Sequence, residues 1–389
     1  MASSEAYRSR IANRPAASGG MHEWLLQWRD ALLLSPRFHD FVFRVPGLRG
    51  IGRRRSQELF DICAGFVYSQ TLLAAVKLDI FEELRAGPLG IDELARRLRL
   101  EKGDVERLLR ALASLRLAER RSGDRYGLGE LGAAFLANAG LREMVLHHAE
   151  LYKDLSDPVS LLRQSENSAG LADYWGYGVE AAPEELQAGR TGKYSALMAA
   201  TLPDFAREVL DAYDISQHKR MLDVGGGSGL FLQAAAKRSD ALNLSLFDLP
   251  SVAEEARRKL SVAGLGHRSE IFTGSFKVDP LPKGADLVTF IRILLDHGDD
   301  VVEALLRSAA AAIAPGGRLL IAEAMSDRPG GSRVADAYFG FYLRAMGQGR
   351  ARRPSEIFAM AERAGFRNCR LLPTRRPVLT QLIVANAPQ

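Results

Sequence analysis

The stretch Leu222-Asp223-Val224-Gly225-Gly226-Gly227-Ser228-Gly229 decides how the rest of this chain is interpreted. It precedes the amphipathic run Leu230–Ala236, and together they predict a short buried strand, a glycine turn and a helix. Glycines at such a turn let the backbone approach a ligand where a side chain would clash. The start of the helix adds unpaired N–H groups and the positive end of a dipole. The stretch therefore predicts a ligand site at a strand–turn–helix junction.

The residues around this turn indicate which ligand it binds. The spacing is Gly-x-Gly-x-Gly, and Leu230 stands where the third glycine of a dinucleotide fingerprint would be. Asp223, just before the turn, suits an amino group better than a pyrophosphate. A second strand ends in Asp248, where doubly wound sheets bind ribose hydroxyls. This order favours S-adenosyl-L-methionine (SAM) over NAD as cofactor; a plain turn with a solvated Asp223 is the alternative.

Length and composition describe an ordinary globular chain. The 389 residues are 47% hydrophobic and 25% charged, which leaves room for two domains. The net charge of +5 does not by itself imply nucleic acid. The two cysteines, Cys63 and Cys369, are too few for a disulfide framework or a zinc site, which predicts a reducing compartment and no metal. No run approaches 18 apolar residues, so no transmembrane helix is predicted.

Residues 1–55 are predicted to form an N-terminal arm. Met1 to Gly20 lacks an apolar core, which predicts disorder rather than a secretory signal. Trp24 and Trp28 share one face of a helix, and the basic run Arg53-Arg54-Arg55 follows. Such an arm could contact an anionic membrane surface peripherally. The alternative, which we favour here, is a solvated arm packed in a dimer.

Residues 56–140 are predicted to form an all-helical winged-helix domain. Apolar periodicity predicts helices over 57–86, 91–98 and 105–115, followed by a hairpin about Ser122-Gly123-Asp124. Winged helices often bind DNA. The third helix, however, carries Glu106 beside Arg107 and Arg110 and is otherwise mostly Leu and Ala. We therefore predict a dimerisation module, a homodimer and no nucleic-acid partner.

Residues 141–212 are predicted to be a helical linker that covers the substrate, with His147 and Tyr152 as pocket residues. Residues 213–389 alternate strands with helices, with strands over 243–247, 269–273, 286–293, 318–322 and 378–385. This predicts an α/β fold with a Rossmann-like, doubly wound, mostly parallel sheet. An added helix over 333–346 is apolar almost all round, as expected of a helix that lines an apolar pocket. Its predicted substrate residues are Tyr338, Phe341, Tyr342 and Met346.

Six motifs of residues 213–389 occur in a fixed order. They are Asp223–Gly229, Phe247-Asp248-Leu249-Pro250, Gly274-Ser275-Phe276, Leu295-Asp296-His297, Ala314–Glu323 and Ala364-Gly365-Phe366. This set resembles the SAM-dependent O-methyltransferases that join a winged-helix dimerisation domain to a class I catalytic domain. More narrowly, the motifs Gly65–Gln70, Leu151–Pro158 and Tyr338–Tyr342 resemble the hydroxyneurosporene (demethylspheroidene) O-methyltransferases of bacterial carotenoid synthesis.

The resemblance implies roles for individual residues. Asp223 and Gly225 are expected at the methionine end of SAM, Asp248 at its ribose, and Ser275 and Phe276 at its adenine. The complete set of predicted cofactor-binding residues is Asp223, Gly225, Gly227, Asp248, Leu249, Ser275, Phe276 and Arg292.

The general base of the family is missing from this sequence. Phenol-directed relatives carry a histidine where this chain has Leu295, and one of two supporting acids falls on Ala351. The other acid is kept as Glu323, and His297 is the nearest substitute base. The predicted catalytic residues are therefore His297 and Glu323, with Leu295 facing substrate. An apolar Leu295 fits an alkyl alcohol, which is less acidic than a phenol and relies more on proximity.

Two classes of function follow. The first is a cytoplasmic SAM-dependent O-methyltransferase, acting on a long apolar alcohol, with a 1-hydroxycarotenoid as the expected acceptor. Within that class, a polyketide, phenol or tetrapyrrole acceptor is the alternative. The second class is a winged-helix DNA-binding regulator that senses SAM, which a basic stripe on the third helix would favour.

Overall fold

The computed structural model describes residues 20–163, 171, 188–326, 333–376 and 380–388. Most of the predicted disordered terminus lies outside this part of the chain. The first two residues of the strand predicted over 378–385 and much of the predicted linker also lie outside it. The chain divides into two compact units, residues 1–72 and 73–389, which are described separately.

The first unit contains helices α1 (Met21–Leu33), α2 (Pro36–Arg44) and most of α3 (Pro46–Lys77). One helix was predicted over residues 57–86. In the structure, α3 begins eleven residues before position 57, at a proline that the first turn of a helix accepts, and it ends at Lys77. Among the described helices, α3 alone is long and apolar enough to cross a membrane, on length and composition only. Length and composition do not by themselves place a span in the chain, so the absence of a transmembrane helix stays a prediction.

Most of the apolar side chains of α3 face solvent in the single chain. Phe60, Ile62 and Phe66 are each more than 60% exposed, and the only buried residues of the helix lie at its C-terminal end. An exposed apolar surface of this kind marks an interaction site.

The second unit begins with a small winged-helix region. Its helices are α4 (Ile80–Glu83), α5 (Ile91–Leu98), α6 (Lys102–Ser114) and α7 (Glu130–Leu136). Strands β1 (Leu89–Gly90), β2 (Ala118–Arg121) and β3 (Arg125–Leu128) form an antiparallel sheet in the order β1-β3-β2. The predicted hairpin is present, with Gly123 and Asp124 both at positive φ. The region is mainly helical, but it also holds this sheet.

The described parts of the predicted linker, residues 141–163 and 188–212, are mainly helical. It contains α8 (Ala139–Asp154), α9 (Pro158–Arg163) and α10 (Ala188–Ala212). The break between α8 and α9 falls at Asp157-Pro158. Residues 164–170 and 172–187 of this predicted cover lie outside the described residues.

A seven-stranded sheet forms the body of the second unit. Its strands are β4 (Arg220–Val224), β5 (Asn243–Asp248), β6 (Ser269–Thr273), β7 (Leu287–Ile291), β8 (Arg318–Glu323), β9 (Arg367–Leu372) and β10 (Gln381–Asn386). The spatial order is β6-β5-β4-β7-β8-β10-β9, and only the pairs of β10 with β8 and β9 are antiparallel. The strands that follow β4 in sequence are added first on one side of it (β5, β6) and then on the other (β7, β8), so the cleft at its carboxyl end is the expected ligand site. The predicted doubly wound, mostly parallel fold is confirmed.

Helices cover both faces of this sheet. They are α11 (Leu230–Ala236), α12 (Pro250–Val262), α13 (Asp299–Ala312), α14 (Phe339–Met346) and α15 (Pro354–Arg363); a π-helical turn, Arg333–Tyr338, precedes α14. Alternation along β4 assigns Met221 to one core and Leu222 to the other. A third cluster of buried residues is called the apolar cluster from here on. It contains Leu151, Leu161, Leu171, Leu295, Tyr342, Leu343, Ala345 and Met346.

Candidate active site

The glycine turn after β4 has the backbone that its sequence predicts. Gly225, Gly227 and Gly229 have φ values of 66°, 58° and 77°, a region that other residues seldom adopt. The Gly225 N–H donates to the Phe247 carbonyl across 2.8 Å, which joins the turn to β5. A Cβ on Gly226 would lie 2.7 Å from Asp223 Oδ2, so that carboxylate lies against the turn.

Asp223 is almost completely buried at this turn. Its Oδ1 accepts the Thr289 hydroxyl proton across 2.6 Å, while Oδ2 has no hydrogen-bond partner among the described residues. Burial raises the pKa of Asp223 to about 7, against the lowering effect of the Thr289 hydrogen bond. A buried carboxylate oxygen without a partner is costly unless a donor or cation meets it. This geometry suits the ammonium group of SAM.

Asp248 ends β5 on the other side of the turn. Its Oδ2 accepts the Gly227 N–H across 2.8 Å, and its Oδ1 accepts the Leu249 N–H across 2.7 Å. Burial raises the pKa of Asp248 to about 6, although these hydrogen bonds oppose the shift. Carboxylate oxygens have further lone pairs, so this group can also accept two ribose hydroxyls.

Phe276 lies next to the glycine turn, on the side expected for adenine. Its Cε1 would be 3.7 Å from a Cβ on Gly225, and the Ile293 side chain would be closer still. Sequence reasoning did not identify Ile293. Ser275 donates its N–H to Asp279 across 2.7 Å, which fixes the turn that carries Phe276.

Arg292 has a different environment from the other predicted cofactor residues. Its guanidinium donates to Thr201 Oγ1 across 2.7 Å and to the Met198 carbonyl across 3.0 Å, and it stacks over Phe205. All three partners belong to α10. The residue has a positive φ of 59° at the end of β7, which is unusual for a side chain of this size. The described contacts of its guanidinium therefore hold α10, not the glycine turn.

A single 3-10 turn, Leu294–Asp296, carries Leu295, the residue at the position of the missing base. Glu323 is fully buried and accepts the Leu295 N–H at Oε2 across 2.9 Å. Burial raises the pKa of Glu323 to about 7, while the charge of Arg352 opposes the shift. In this chain the supporting acid thus holds the backbone of the turn.

Arg352 holds the same turn from the other side, and sequence reasoning missed it. The side chain is fully buried, and it donates across 2.6 Å to each of the carbonyls of Leu294 and His297. It also donates to Asp299 Oδ1 across 2.7 Å. Its partners are more than fifty residues away in sequence, and no local pattern marks an arginine between two helices as a buried one.

His297 lies on the cofactor side of this turn. Its ring meets the Phe276 ring edge to face, with centroids 5.2 Å apart, and 6% of the residue is exposed. Burial, with the charges of Lys277 and Arg352, lowers the pKa of His297 to about 4, so the ring is neutral near pH 7. Leu295 instead belongs to the apolar cluster. The geometry therefore separates His297 from the predicted substrate side.

The predicted substrate residues come together in the apolar cluster. Tyr342, Met346 and Leu295 are buried there, and Tyr338 and Phe341 pack against them. His147 reaches the cluster from α8, with Nε2 2.9 Å from the Tyr342 hydroxyl. Tyr152 is half-buried on α8, outside this cluster.

Two further expectations concern metals and nucleic acid. Within the described residues no group of three or more His, Cys, Asp or Glu side chains could hold a metal ion. On α6, Arg107 pairs with Asp104 and Arg110 with Glu106, so these arginines do not present an uncompensated basic face.

Comparison with known proteins identifies two domains. Residues 152–367 match an O-methyltransferase domain, and residues 60–138 match an O-methyltransferase dimerisation domain. The dimerisation match supports a homodimer and includes the exposed face of α3 from Phe60 onward.

Similar proteins cover nearly the whole chain. Demethylspheroidene O-methyltransferase of Cereibacter sphaeroides is 41% identical over 97% of this chain and 98% of its own. The Rhodobacter capsulatus enzyme of the same name is 41% identical over 91% and 88%. Among solved structures, human N-acetylserotonin methyltransferase in complex with SAM is 26% identical, with a TM-score of 0.71 over 86% of this chain and 98% of that one. The SAM-dependent methyltransferase SibL has the same identity and TM-score over 85% and 99%.

Proposed function

We propose, for a chain that belongs to the SAM-dependent O-methyltransferase family, that the methyl acceptor is the hydroxyl of a long apolar alcohol. The acceptor class is a 1-hydroxycarotenoid of the demethylspheroidene type. The observation that carries this proposal is Leu295, at the position of the family's histidine base and buried in the apolar cluster. The names of the two relatives at 41% identity support the same acceptor.

The described residues fit SAM, which supplies an activated methyl group on a sulfonium when bound. Asp223 would bind the ammonium group through Oδ2, and Asp248 would accept the ribose hydroxyls. Gly225 and Gly227 would let the backbone approach the methionine portion of SAM. Position 225 has no room for a side chain, because a Cβ there would clash with Ile293. Leu249, Ser275 and Phe276 would border the ribose and adenine.

The turn at Leu294–Asp296 would position the acceptor. Glu323 and Arg352 fix the backbone of this turn and of His297 after it through three hydrogen bonds of 2.6–2.9 Å. Leu295 would then exclude water from the reacting oxygen and favour an apolar chain beside it. Proximity in such a site can supply much of the rate.

The acceptor is tested with purified protein, SAM and a panel of acceptors in detergent. We expect a product heavier by one methyl group from a 1-hydroxycarotenoid, and none from the same carotenoid without the hydroxyl. Asp223→Asn serves as the control for the SAM site. Turnover of phenols or polyketides, with none of the hydroxycarotenoid, would contradict the proposed acceptor and leave the enzyme class intact.

We also propose that the arm over residues 21–55 contacts an anionic membrane from the cytoplasmic side. Trp24 and Trp28 are more than half exposed on α1, and Phe41 is exposed on α2. The same segment has seven arginines against three acidic residues. Apolar rings beside basic side chains match a lipid interface, where an apolar acceptor would be collected.

Flotation with lipid vesicles tests this contact. We expect binding to vesicles that contain phosphatidylglycerol, weakening with added salt, and lost in Trp24→Ser/Trp28→Ser. Val262→Ser/Val278→Ser is the matched control, because both valines are 82% exposed outside the arm. If the tryptophan variant floats like wild type but loses its dimer, the arm belongs to the dimer interface instead.

A further inference from the structure

Two histidine–tyrosine pairs, one buried and one half-buried, connect α8 to the segment over residues 333–346. His147 Nε2 lies 2.9 Å from the Tyr342 hydroxyl, and His148 Nε2 lies 2.8 Å from the Tyr338 hydroxyl. The two tyrosine rings are stacked, with centroids 5.7 Å apart and planes 22° apart. Consecutive histidines thus meet tyrosines one helical turn apart.

The first pair reaches the apolar cluster that contains Leu295. Tyr342 is buried in that cluster, as is Leu295, which stands where the resemblance places the family's histidine. The Tyr342 hydroxyl is therefore a polar group within the cluster, and an acceptor alcohol bound there could hydrogen-bond to it.

The histidine behind Tyr342 can accept a proton. Burial, aided by the neighbouring His148 and opposed by Glu150, lowers the pKa of His147 to about 4. Burial also lowers the pKa of His148 and raises that of Tyr338. At neutral pH the His147 imidazole is uncharged, and its Nε2 can take the hydroxyl proton of Tyr342 when that oxygen receives another.

We propose that Tyr342 and His147 form a relay that receives the proton of the acceptor hydroxyl, an inference that rests on the proposed function. As the acceptor oxygen bonds to the methyl carbon, the carbon–sulfur bond breaks and the sulfonium becomes a neutral thioether. The acceptor proton passes to the Tyr342 oxygen, and the Tyr342 proton passes to His147 Nε2. The positive charge thus ends on the imidazolium, which releases its proton to water.

The second pair differs in its expected role. Tyr338 is half-buried and stacks on Tyr342, while His148 holds its hydroxyl. Tyr338 thereby fixes the ring of Tyr342, so it is a positioning residue. Tyr338→Phe should raise KM or lower kcat modestly and leave the pH dependence of kcat unchanged.

The test compares Tyr342→Phe and His147→Gln with a matched control. Tyr213→Phe removes another buried tyrosine–histidine hydrogen bond, of 2.8 Å to His218, in the core beside the sheet. For each variant we measure SAM affinity by calorimetry, kcat from about pH 3 to 9 so that both sides of the His147 pKa are covered, and the solvent deuterium isotope effect. Loss of a general base typically costs 10²–10⁴-fold in rate.

We expect both relay variants to lose at least about tenfold in kcat, with SAM affinity unchanged and the isotope effect reduced toward one. Wild-type activity should fall as pH drops through about 4, where His147 becomes protonated, and this limb should vanish in His147→Gln. Tyr213→Phe should match wild type in all three measurements. Relay variants within threefold of wild-type kcat, with unchanged pH and isotope profiles, would overturn the relay.

Failure of the proposed function looks different. Wild-type protein would then give no product from the hydroxycarotenoid, and the variants would be measured with whichever alcohol or phenol it methylates. The relay requires that Tyr342→Phe and His147→Gln lose the same share of kcat with that acceptor. Variants that keep wild-type kcat with it overturn the relay too.

Discussion

Binding of SAM should release protons near neutral pH, because the predicted site holds two carboxyl groups with raised pKa values. Burial raises the pKa of Asp223 to about 7 and that of Asp248 to about 6. An ammonium group at Asp223 and ribose hydroxyls at Asp248 favour the ionised forms. Both pKa values should therefore fall when SAM binds, and the protons must leave.

The size of the effect follows from these values. At pH 6.5 Asp223 is about three-quarters protonated and Asp248 about one-quarter, so complete ionisation releases about one proton. At pH 8.5 both groups are already ionised, and the amino group of SAM, with a pKa near 8, must instead take up a proton. The sign of the proton exchange should therefore reverse between these pH values.

The same shifts govern the stability of the protein without SAM. A carboxyl group whose folded pKa is raised contributes stability below its unfolded pKa, and this is lost as pH rises through the folded value. The window for Asp223 thus runs from about pH 4 to about pH 7.

Calorimetry in two buffers of different ionisation enthalpy measures the exchange directly. Asp223→Asn should remove most of the proton release at pH 6.5, whereas Glu270→Gln, an exposed acid at the start of β6, should leave it unchanged. A binding enthalpy independent of buffer at pH 6.5 in the wild type would refute the reasoning. An undiminished release in a folded Asp223→Asn variant would remove Asp223 from the cofactor site.

Four other substitutions test the remaining parts of the site and the dimer. Asp248→Ala should weaken SAM binding roughly ten- to a hundredfold in calorimetry, since hydrogen bonds to a charged group contribute about 1.5–3 kcal/mol; unchanged affinity would contradict its ribose role. Arg352→Met removes the hydrogen bonds that the Leu294 and His297 carbonyls accept from the guanidinium and should lower the free energy of unfolding in urea by about 1–3 kcal/mol, whereas the half-exposed Arg350→Met should cost about 1 kcal/mol or less. His297→Ala should lower kcat less than about tenfold with SAM affinity intact; a fall of 10²–10⁴-fold would make it the base. Phe66→Glu puts a charge into the exposed apolar face of α3 and should give a monomer by light scattering at micromolar concentration, where a persistent dimer would place the interface elsewhere.

The cofactor side of the site was accessible from the sequence because its chemistry is local. The positive φ values of Gly225 and Gly227 favour glycine. Asp248 ends strand β5, which lies beside β4 in the parallel sheet, so its carboxylate lies near the glycine turn. The apolar run over residues 333–346 likewise predicted a buried helix, and its tyrosines do lie in the apolar cluster. In each case the feature is contained within a few neighbouring residues.

The missed features depend on contacts that no local pattern encodes. Arg352 is polar and follows an irregular segment. The carbonyls of Leu294 and His297, together with the Asp299 carboxylate, make its burial tolerable. Strand β9 is rich in arginine and lies at the sheet edge, so it lacks the apolar alternation of a half-buried strand. The sequence does not distinguish the neighbours His147 and His148, because the tyrosine that each contacts lies at least 190 residues further along the chain.

The Leu294–Asp296 turn explains how the chain can lack the family's base and still keep one of its supporting acids. Glu323 accepts a backbone N–H, which any residue at position 295 would supply. Arg352 binds backbone carbonyls, which are equally independent of the side chain at that position. The turn can therefore keep its shape while the side chain of residue 295 changes from a base to an apolar surface. On the proposed function, a leucine in place of the base would alter the choice of acceptor and the route of the proton, and would leave the backbone of the turn in place.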